Sequence, residues 1–344
     1  MPATVDTVLL GCAHALHARS YAGALEAGRS GRLVGVYDES AELGGRLAEE
    51  LGVDCYRDPQ HLLESLRPAA AIVCGSTAEH RGLVTMAAAH GVHILCEKPL
   101  ALSPQDASAM VRACGDAGVQ LHTAFVSRFY PVLQEVRAVI TGSELGQVRG
   151  MVGGNRGRPP LPPRYPRWIT EAERAGGGAL IDHSVHVLDA MRFVSGLEAS
   201  EVAAEIGTLF GDTEVEDSAL VSVVFDSGAV ASIDPSWSVM PESPWDYDFY
   251  LRVLGTEGSL SIATGRESVS VSGQYDGRSF VHVPFEPDID QTMVDAFLRS
   301  VQEGHVLDPC ASGEDGLRAV ELATAAYESA ATGKFVPVSR DRDG

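Results

Sequence analysis

The sequence predicts an α/β chain in which a doubly wound parallel sheet is followed by an α+β domain with a predominantly antiparallel sheet. Three observations predict it. From Val8 to Phe125, short apolar runs alternate strictly with helical repeats. Those runs are apolar at every position, as strands covered on both faces are. Beyond residue 195 the apolar residues recur at every second position between short turns, the pattern of antiparallel pairing. At 344 residues the chain exceeds one ordinary core. It divides into residues 1–125, residues 126–335, and a C-terminal strand and polar tail over 336–344.

Composition narrows the function classes. Hydrophobic residues make up 45% and charged residues 21%, the balance of a globular protein. Asp and Glu outnumber Lys and Arg by 47 to 26, a formal charge of −21. That charge repels phosphate backbones and anionic lipid, so neither nucleic acid nor a membrane is expected as a partner. No apolar run reaches the roughly 20 residues of a membrane span. Met1 to Asp6 hold no basic cluster before an apolar run, so no secretory signal is read and a cytoplasmic location is expected. The six cysteines form no Cys-x-x-Cys pair and are expected as reduced thiols.

The elements follow in order. Val8-Leu9-Leu10 is the first strand and stops at Gly11, and a helix runs on through Tyr21 and Leu25. Leu33 to Tyr37 is the second strand, ended by Asp38. Leu43, Leu47 and Leu51 recur every fourth residue and mark a helix. A short strand at 54–56 and a helix around Leu62, Leu63 and Leu66 come next. Ala70 to Cys74 is a strand, Glu79 to His90 a helix and Val92 to Cys96 a strand. Pro104 to Ala117 is a helix and Val119 to Phe125 the last strand of this half. Ligands of such sheets bind beyond the carboxyl ends of the strands. Those ends carry Gly11, Asp38, Gly75-Ser76-Thr77, Glu97-Lys98-Pro99 and Arg128, a small and polar set that suits a cofactor cleft.

The first turn, Gly11-Cys12-Ala13-His14-Ala15-Leu16-His17, is a depleted form of the Gly-x-Gly-x-x-Gly turn of a Rossmann-type dinucleotide domain. Gly11 fits, Ala13 stands at the second glycine and Leu16 at the third. Ala13 still permits a fairly close backbone approach to a pyrophosphate. Leu16 predicts a turn of altered length or a helix set farther from its strand. Asp38 is placed to accept hydrogen bonds from both adenosine ribose hydroxyls and to repel a 2′-phosphate, which favours NAD over NADP. His14 and His17 flank the turn, and His14 is the stronger candidate for a phosphate or substrate contact.

Farther along, Gly176-Gly177-Gly178 breaks the chain before a helix with Ile181, Val185 and Leu188 on one face. Asp182 and His186 stack four residues apart on that helix, a carboxylate beside an imidazole and so the parts of an acid–base device. Two stretches together resemble the glucose–fructose oxidoreductase/inositol dehydrogenase (Gfo/Idh/MocA) family. One is Ala71 to His80 with His93 to Ala101, which holds Glu97-Lys98-Pro99 at a strand end. The other is Gly176 to Asp182 with His186, which matches Gly-Gly-Gly-x-Leu-x-Asp-x-x-x-His. The resemblance implies an NAD(P)-dependent oxidoreductase. It implies that Lys98 is the catalytic lysine, close to the nicotinamide and the reacting hydroxyl. Asp182 and His186 would orient the substrate and move the proton, and Glu97 would lie near the nicotinamide ribose. Gly75, Ser76 and His80 would lie along the cofactor, Arg128 would meet cofactor and substrate, and Pro99 would follow a cis peptide. His183 stands where many relatives carry a small or apolar residue. It is expected to line the substrate pocket or pack against the sheet or, as an alternative, to hold a divalent metal with Asp182 and His186.

In the second half, Pro131 to Thr141 reads as a linking helix and 146–155 as a strand. Arg156 to Trp168 is a loop rich in Pro and Arg, a local basic cluster in an acidic chain. Arg156 and Trp168 are its candidate substrate contacts. Strands are expected at 219–225, 229–236, 247–254, 259–263, 268–272 and 280–284, with turns at 226–228, 255–258 and Asp276-Gly277. One face of their sheet must pack on helices such as 176–195. A second copy would cover the other, so a homodimer or homotetramer is expected. Ile289, Met293, Phe297 and Val301 mark one terminal helix, and Ser312 with Asp315 opens another that ends at Gly333.

The expected function is hydride transfer between nicotinamide and the hydroxyl carbon of a sugar, polyol or cyclitol. His186 would be the base, oriented by Asp182, and Lys98 would hold the developing alkoxide. Two alternatives use the same parts differently. NAD-assisted elimination, epimerisation or glycoside cleavage would leave no net redox change. A nucleotide sensor without catalysis is the other, and the depleted turn permits it.

Overall fold

The computed structural model describes residues 4–339, apart from 29, 244, 265–267, 276–277 and 285–287. Its first half follows the alternation of apolar runs. It consists of β1 (Val5–Leu10), α1 (Ala15–Ala27), β2 (Gly31–Tyr37), α2 (Ala41–Leu51), β3 (Cys55–Tyr56), α3 (Pro59–Leu66), β4 (Ala70–Val73), α4 (Thr77–Ala89), β5 (His93–Cys96), α5 (Pro104–Ala117) and β6 (Leu121–Thr123). The six strands are parallel, in the spatial order β6-β5-β4-β1-β2-β3. Strand order reverses between β1 and β4, and a ligand crevice opens at such a switch point. Separate apolar clusters cover the two faces, one around Leu9 and Ile72, the other around Val8 and Val73. Leu16 turns to solvent, 41% exposed. Helix α1 approaches the sheet through Ala18 and Ala22, both 0% exposed, so Leu16 does not hold it away.

The second half contains α6 (Pro131–Thr141), β7 (Val148–Gly157), α7 (Ala172–Ala175), α8 (Ala179–Ser195), β8 (Ala199–Gly207), β9 (Ser218–Phe225), β10 (Val230–Ser236), β11 (Tyr247–Gly255) and β12 (Ser259–Thr264). After them come β13 (Ser268–Tyr275), β14 (Arg278–Pro284), α9 (Ile289–Glu303), β15 (Ala311–Ser312), α10 (Gly313–Thr332) and β16 (Val336–Pro337). The large sheet runs β12-β11-β7-β10-β9-β8-β16. Its pairings are antiparallel except β7 with β10, which is parallel. Helix α8 lies on its inner face, and Val187, Val221, Ile233 and Leu251 share one core there, each 0% exposed.

Three features depart from the sequence expectation. Strand β8 carries no clean alternation and was not anticipated. Strand β7 runs two residues farther than residue 155, which changes where Arg156 points. Helix α9 and strand β15, assigned by sequence to the second half, belong to the first: Met293, Val294 and Phe297 join the cluster around Leu9, and β15 pairs with β6. An amphipathic helix shows that it covers an apolar layer but not which one. The Asp276-Gly277 turn and the tail from 340 onward lie outside the described residues. Among the described residues no helix is long and apolar enough to cross a membrane. All six cysteines are free thiols, five of them buried.

Candidate active site

The cleft is assembled from strand ends. Gly11 ends β1 at φ 86°, and a Cβ there would lie 2.7 Å from the Gly75 backbone. The turns after β1 and β4 therefore touch, and only glycine allows it. Asp38, 6% exposed, ends β2 beside them. Its Oδ2 accepts from Cys12 N at 2.6 Å and its Oδ1 from Ser40 N at 2.6 Å, which ties the carboxylate to the first turn. Ala13 explains its own departure from glycine. Its carbonyl accepts from the Trp168 indole at 2.8 Å, and its methyl packs against the cluster of Tyr165, Trp168 and Trp237. The second-glycine position is thus a contact between the two halves of the chain.

Beneath the turn lies a charged floor. Glu97 is 2% exposed. Its Oε1 accepts from the Tyr21 hydroxyl and sits 2.8 Å from His17 Nδ1, and its Oε2 accepts from Lys98 N at 3.0 Å. Burial opposes the Glu97 charge, but His17, His14 and Lys98 hold its carboxyl well below the usual range. The same pairing raises His17 against the effect of burial. His14 stacks on His17 at 3.8 Å, and burial with that neighbour pushes its pKa down to about 3.

Across the cleft stands helix α8. Its start lacks a local cap, and a distant residue replaces one. Glu216 Oε1 accepts from Gly178 N at 2.9 Å, Leu180 N at 3.0 Å and the Tyr327 hydroxyl at 2.7 Å. The Glu216 carbonyl accepts from Ala179 N at 2.9 Å. A Cβ on Gly178 would overlap that carbonyl, and one on Gly177, at φ 152°, would overlap the Tyr327 hydroxyl. The glycine run is what lets this clamp close on the helix.

The clamped helix presents Asp182 to Lys98. Lys98 Nζ donates to Asp182 Oδ1 at 2.5 Å and to the Asp182 carbonyl at 3.4 Å. Asp182 Oδ2 faces the Trp237 indole N–H at 3.1 Å and His183 Nε2 at 3.2 Å. Burial opposes both charges of the pair. Lys98 and His183 nevertheless hold Asp182 well below its usual range, and Asp182 and Glu97 raise Lys98. His186 is 8% exposed, and its Nδ1 has no partner among the described residues. Burial, then Lys98 and His183, push its pKa well below the ordinary value, so the ring is neutral. Lys98, Asp182, His183, His186, His14 and Trp168 all line one cavity of ≈ 270 Å³. The peptide between Lys98 and Pro99 is cis.

Comparison with known proteins shows the family. The oxidoreductase-family NAD-binding Rossmann fold matches residues 5–125, and the Gfo/Idh/MocA C-terminal domain matches residues 133–261. The chain belongs to the Gfo/Idh/MocA family. It is 31% identical over 294 residues to myo-inositol 2-dehydrogenase of Thermotoga maritima, covering 82% of this chain and 84% of that one. It is 32% identical over 324 residues to 1,5-anhydro-D-fructose reductase of Ensifer adhaerens, covering 92% and 93%. The aldose-aldose oxidoreductase of Caulobacter crescentus superposes with a TM-score of 0.80 at 25% identity, over 97% of this chain and 100% of that one. As a Gfo/Idh/MocA protein the chain is an NAD(P)-dependent oxidoreductase with an NAD-binding Rossmann fold, and the touching turns of Gly11 and Gly75 beside Asp38 fit a dinucleotide.

Within this Gfo/Idh/MocA site several expected residues stand elsewhere. Asp182 makes no hydrogen bond to His186; its partners are Lys98, His183 and Trp237. Arg128 does not line the cavity. It is 6% exposed and forks onto Asp189, with Nε to Oδ2 at 2.8 Å and Nη2 to Oδ1 at 2.6 Å. Arg156 lies on the opposite face of the second sheet, paired with Asp248, because β7 is still a strand at that position. Arg158, just past the strand end, lines the cavity instead. His80 is 1% exposed, with Nδ1 3.0 Å from the Pro99 carbonyl and Nε2 3.3 Å from the Gly75 carbonyl, so it braces the turns from below. Ser76 caps α4: its amide and hydroxyl both donate to Glu79 Oε2 at 2.6 Å. The metal alternative finds no support, since no group of three His, Cys, Asp or Glu side chains among the described residues could hold an ion. Sequence reasoning missed Glu216, Tyr327, Trp237, Tyr165 and Tyr247. Glu216, Trp237, Tyr247 and Tyr327 lie far along the chain from helix α8 and carry no local signal, whereas Tyr165, inside the Arg156–Trp168 loop, lines the cavity with its hydroxyl 3.0 Å from that of Tyr247.

Proposed function

We propose that this protein transfers hydride between nicotinamide and the hydroxyl-bearing carbon of a sugar, polyol or cyclitol. One observation carries the reading: Lys98, Asp182 and His186 line one cavity beside the first turn, with Lys98 hydrogen-bonded to Asp182. Bound NAD supplies the hydride acceptor. The chain supplies the proton and charge handling. Neutral His186 takes the proton that leaves the substrate hydroxyl. Lys98 Nζ, kept charged by Asp182, stabilises negative charge on that oxygen. Asp182 holds the lysine in place. The relatives' names, an inositol dehydrogenase and an anhydrofructose reductase, support a polyhydroxylated substrate. Asp38 at the end of β2 supports NAD over NADP.

The test is a screen of inositols, polyols and aldoses with NAD and with NADP, followed by absorbance of the reduced cofactor. Reduction of NAD by at least one hydroxyl compound is expected, with NADP the poorer acceptor. No turnover across the panel, and none with the matching ketones and NADH, would sink the reading. Product formed on tightly held NAD without net NADH would replace it with the internal-redox alternative.

The open face of the second sheet supports self-association. Leu220, Val230, Leu254 and Val152 share it, exposed by 55%, 54%, 51% and 39%. A homodimer or homotetramer would bury them. Light scattering that gives a monomer at micromolar concentration would remove this part of the proposal.

A further inference from the structure

Consecutive residues on a helix point about 100° apart, so neighbouring side chains do not ordinarily meet. Asp182 and His183 do. His183 Nε2 lies 3.2 Å from Asp182 Oδ2, while the other carboxylate oxygen holds Lys98. The contact is built from the far side. His183 Nδ1 lies 2.9 Å from the Asn155 carbonyl, part of the β7 backbone that β10 and β11 pair on both edges. The imidazole is 4% exposed. Two residues along the same strand, a Cβ on Gly157 would lie 2.7 Å from His183 Cε1. Strand β7 therefore offers a slot, with a carbonyl to hold the ring and an absent side chain to admit it.

The slot links the two sheets across the cavity. The chain of contacts runs from β7 through His183 and Asp182 to Lys98 at the end of β5. Lys98 holds one oxygen of that carboxylate and the Trp237 indole the other. His183 adds a second contact on the oxygen that Trp237 holds, braced by the β7 backbone, and so restrains the carboxylate and its lysine further. We propose that His183, seated in the Gly157 slot of β7, is a positioning residue that fixes Asp182 and through it the Lys98 ammonium. This rests on the catalytic reading of Lys98 above. It adds to the packing of His183 against the sheet a role that pocket lining and metal binding do not describe.

The experiment compares His183→Ala, His183→Gln, Gly157→Ala and the Gly157→Ala/His183→Ala double variant with the wild type. His183→Ala lowers kcat by about 10²-fold, the size expected when a reacting group is displaced by about 1 Å, and leaves NAD binding intact. His183→Gln recovers part of the loss, because its amide N–H can still reach Asp182. Gly157→Ala lowers kcat alone but adds nothing in the His183→Ala background, since the new methyl collides with the ring. A readout without turnover comes from the three tryptophans. The Trp237 indole donates to Asp182 Oδ2, whereas the Trp168 indole donates to the Ala13 carbonyl. In isotope-labelled protein, His183→Ala moves the Trp237 indole signal and leaves the Trp168 signal in place. An unmoved Trp237 signal overturns the proposal, and so does an equal cost of Gly157→Ala in both backgrounds. If the wild type oxidises no hydroxyl compound, the catalytic reading fails separately, and the indole signals still decide where His183 holds Asp182.

Discussion

Helix α8 carries two buried ion pairs two turns apart, Asp182 with Lys98 and Asp189 with Arg128, and they differ in kind. Both cations come from the carboxyl ends of neighbouring strands, β5 and β6. Arg128 and Asp189 are sealed, with side chains 8% and 0% exposed. The guanidinium forks onto both Asp189 oxygens, reaches Asp315 at 3.1 Å and donates to the Cys310 carbonyl at 3.4 Å. Each of its three nitrogens has a partner inside the protein. Lys98 is 8% exposed but faces a cavity, and its Asp182 partner is 22% exposed. A planar fork saturated by carboxylates is a clamp, whereas a compact ammonium with one side open can serve a reacting oxygen. The same helix thus holds the architecture with one turn and faces the cavity with another.

The sharpest way to break this comparison is at the open pair and the His186 imidazole that shares its cavity. His186→Ala should lower kcat by about 10²–10⁴-fold, the usual worth of a general base, with NAD binding unchanged by fluorescence titration. Lys98→Met should lower kcat by about 10²–10³-fold, as the loss of one charge-stabilising donor does. If either variant instead loses NAD affinity and keeps kcat, the open pair is a cofactor anchor and the contrast collapses.

The sealed pair should answer in stability. Arg128→Met strands Asp189 without its hydrogen-bonded cation, while Asp315 keeps Arg192 at 3.0 Å, so unfolding in urea should show a loss of about 3–5 kcal/mol. The protein that remains folded should turn over at close to the wild-type rate. A variant of normal stability and low kcat would place Arg128 in the chemistry after all.

The smallest effect is on pH. Burial pushes His14 down to about 3 and His122 down to about 4 from 6.5. The unfolded chain therefore binds protons below 6.5 that the folded chain refuses until near 4. Stability is complete above 6.5 and declines as pH falls toward 4. The raised His17 acts in the opposite sense, with stability complete below 6.5 and lost as pH rises through its folded value. Thermal unfolding across this range should show a net loss on the acid side. The acid limb of kcat/KM should also lie below the ordinary histidine range, because His186 is depressed by burial and by Lys98. A turnover profile that breaks at the ordinary histidine value would mean that His186 is not held neutral.

Local pattern made much of this legible. The parallel strands announced themselves through unbroken apolar runs such as Ala70 to Val73, and the strand ends placed Gly11, Asp38 and Lys98 at one crevice. The glycine run announced a helix start but not its reason, because Glu216 and Tyr327 meet it from distant parts of the chain. Arg156 was misplaced by two residues of strand length. In a strand each step turns the side chain to the other face, so the end of β7 decides which arginine meets the cavity. Trp168, a candidate substrate contact by sequence, lines the cavity with its indole tied to the first turn.

The sequence by itself determined the parallel sheet, the position of its ligand crevice and the residues able to carry acid–base chemistry, because each depends on periodicity or on spacing within one element. It did not determine how those residues pair. Spacing set Asp182 beside His186, one turn away, yet the carboxylate turns to His183, Trp237 and Lys98. That choice lies with the tertiary structure. A buried charge takes the partners that the surrounding elements bring to it, and here β5 brings a lysine and β7 leaves a slot for an imidazole.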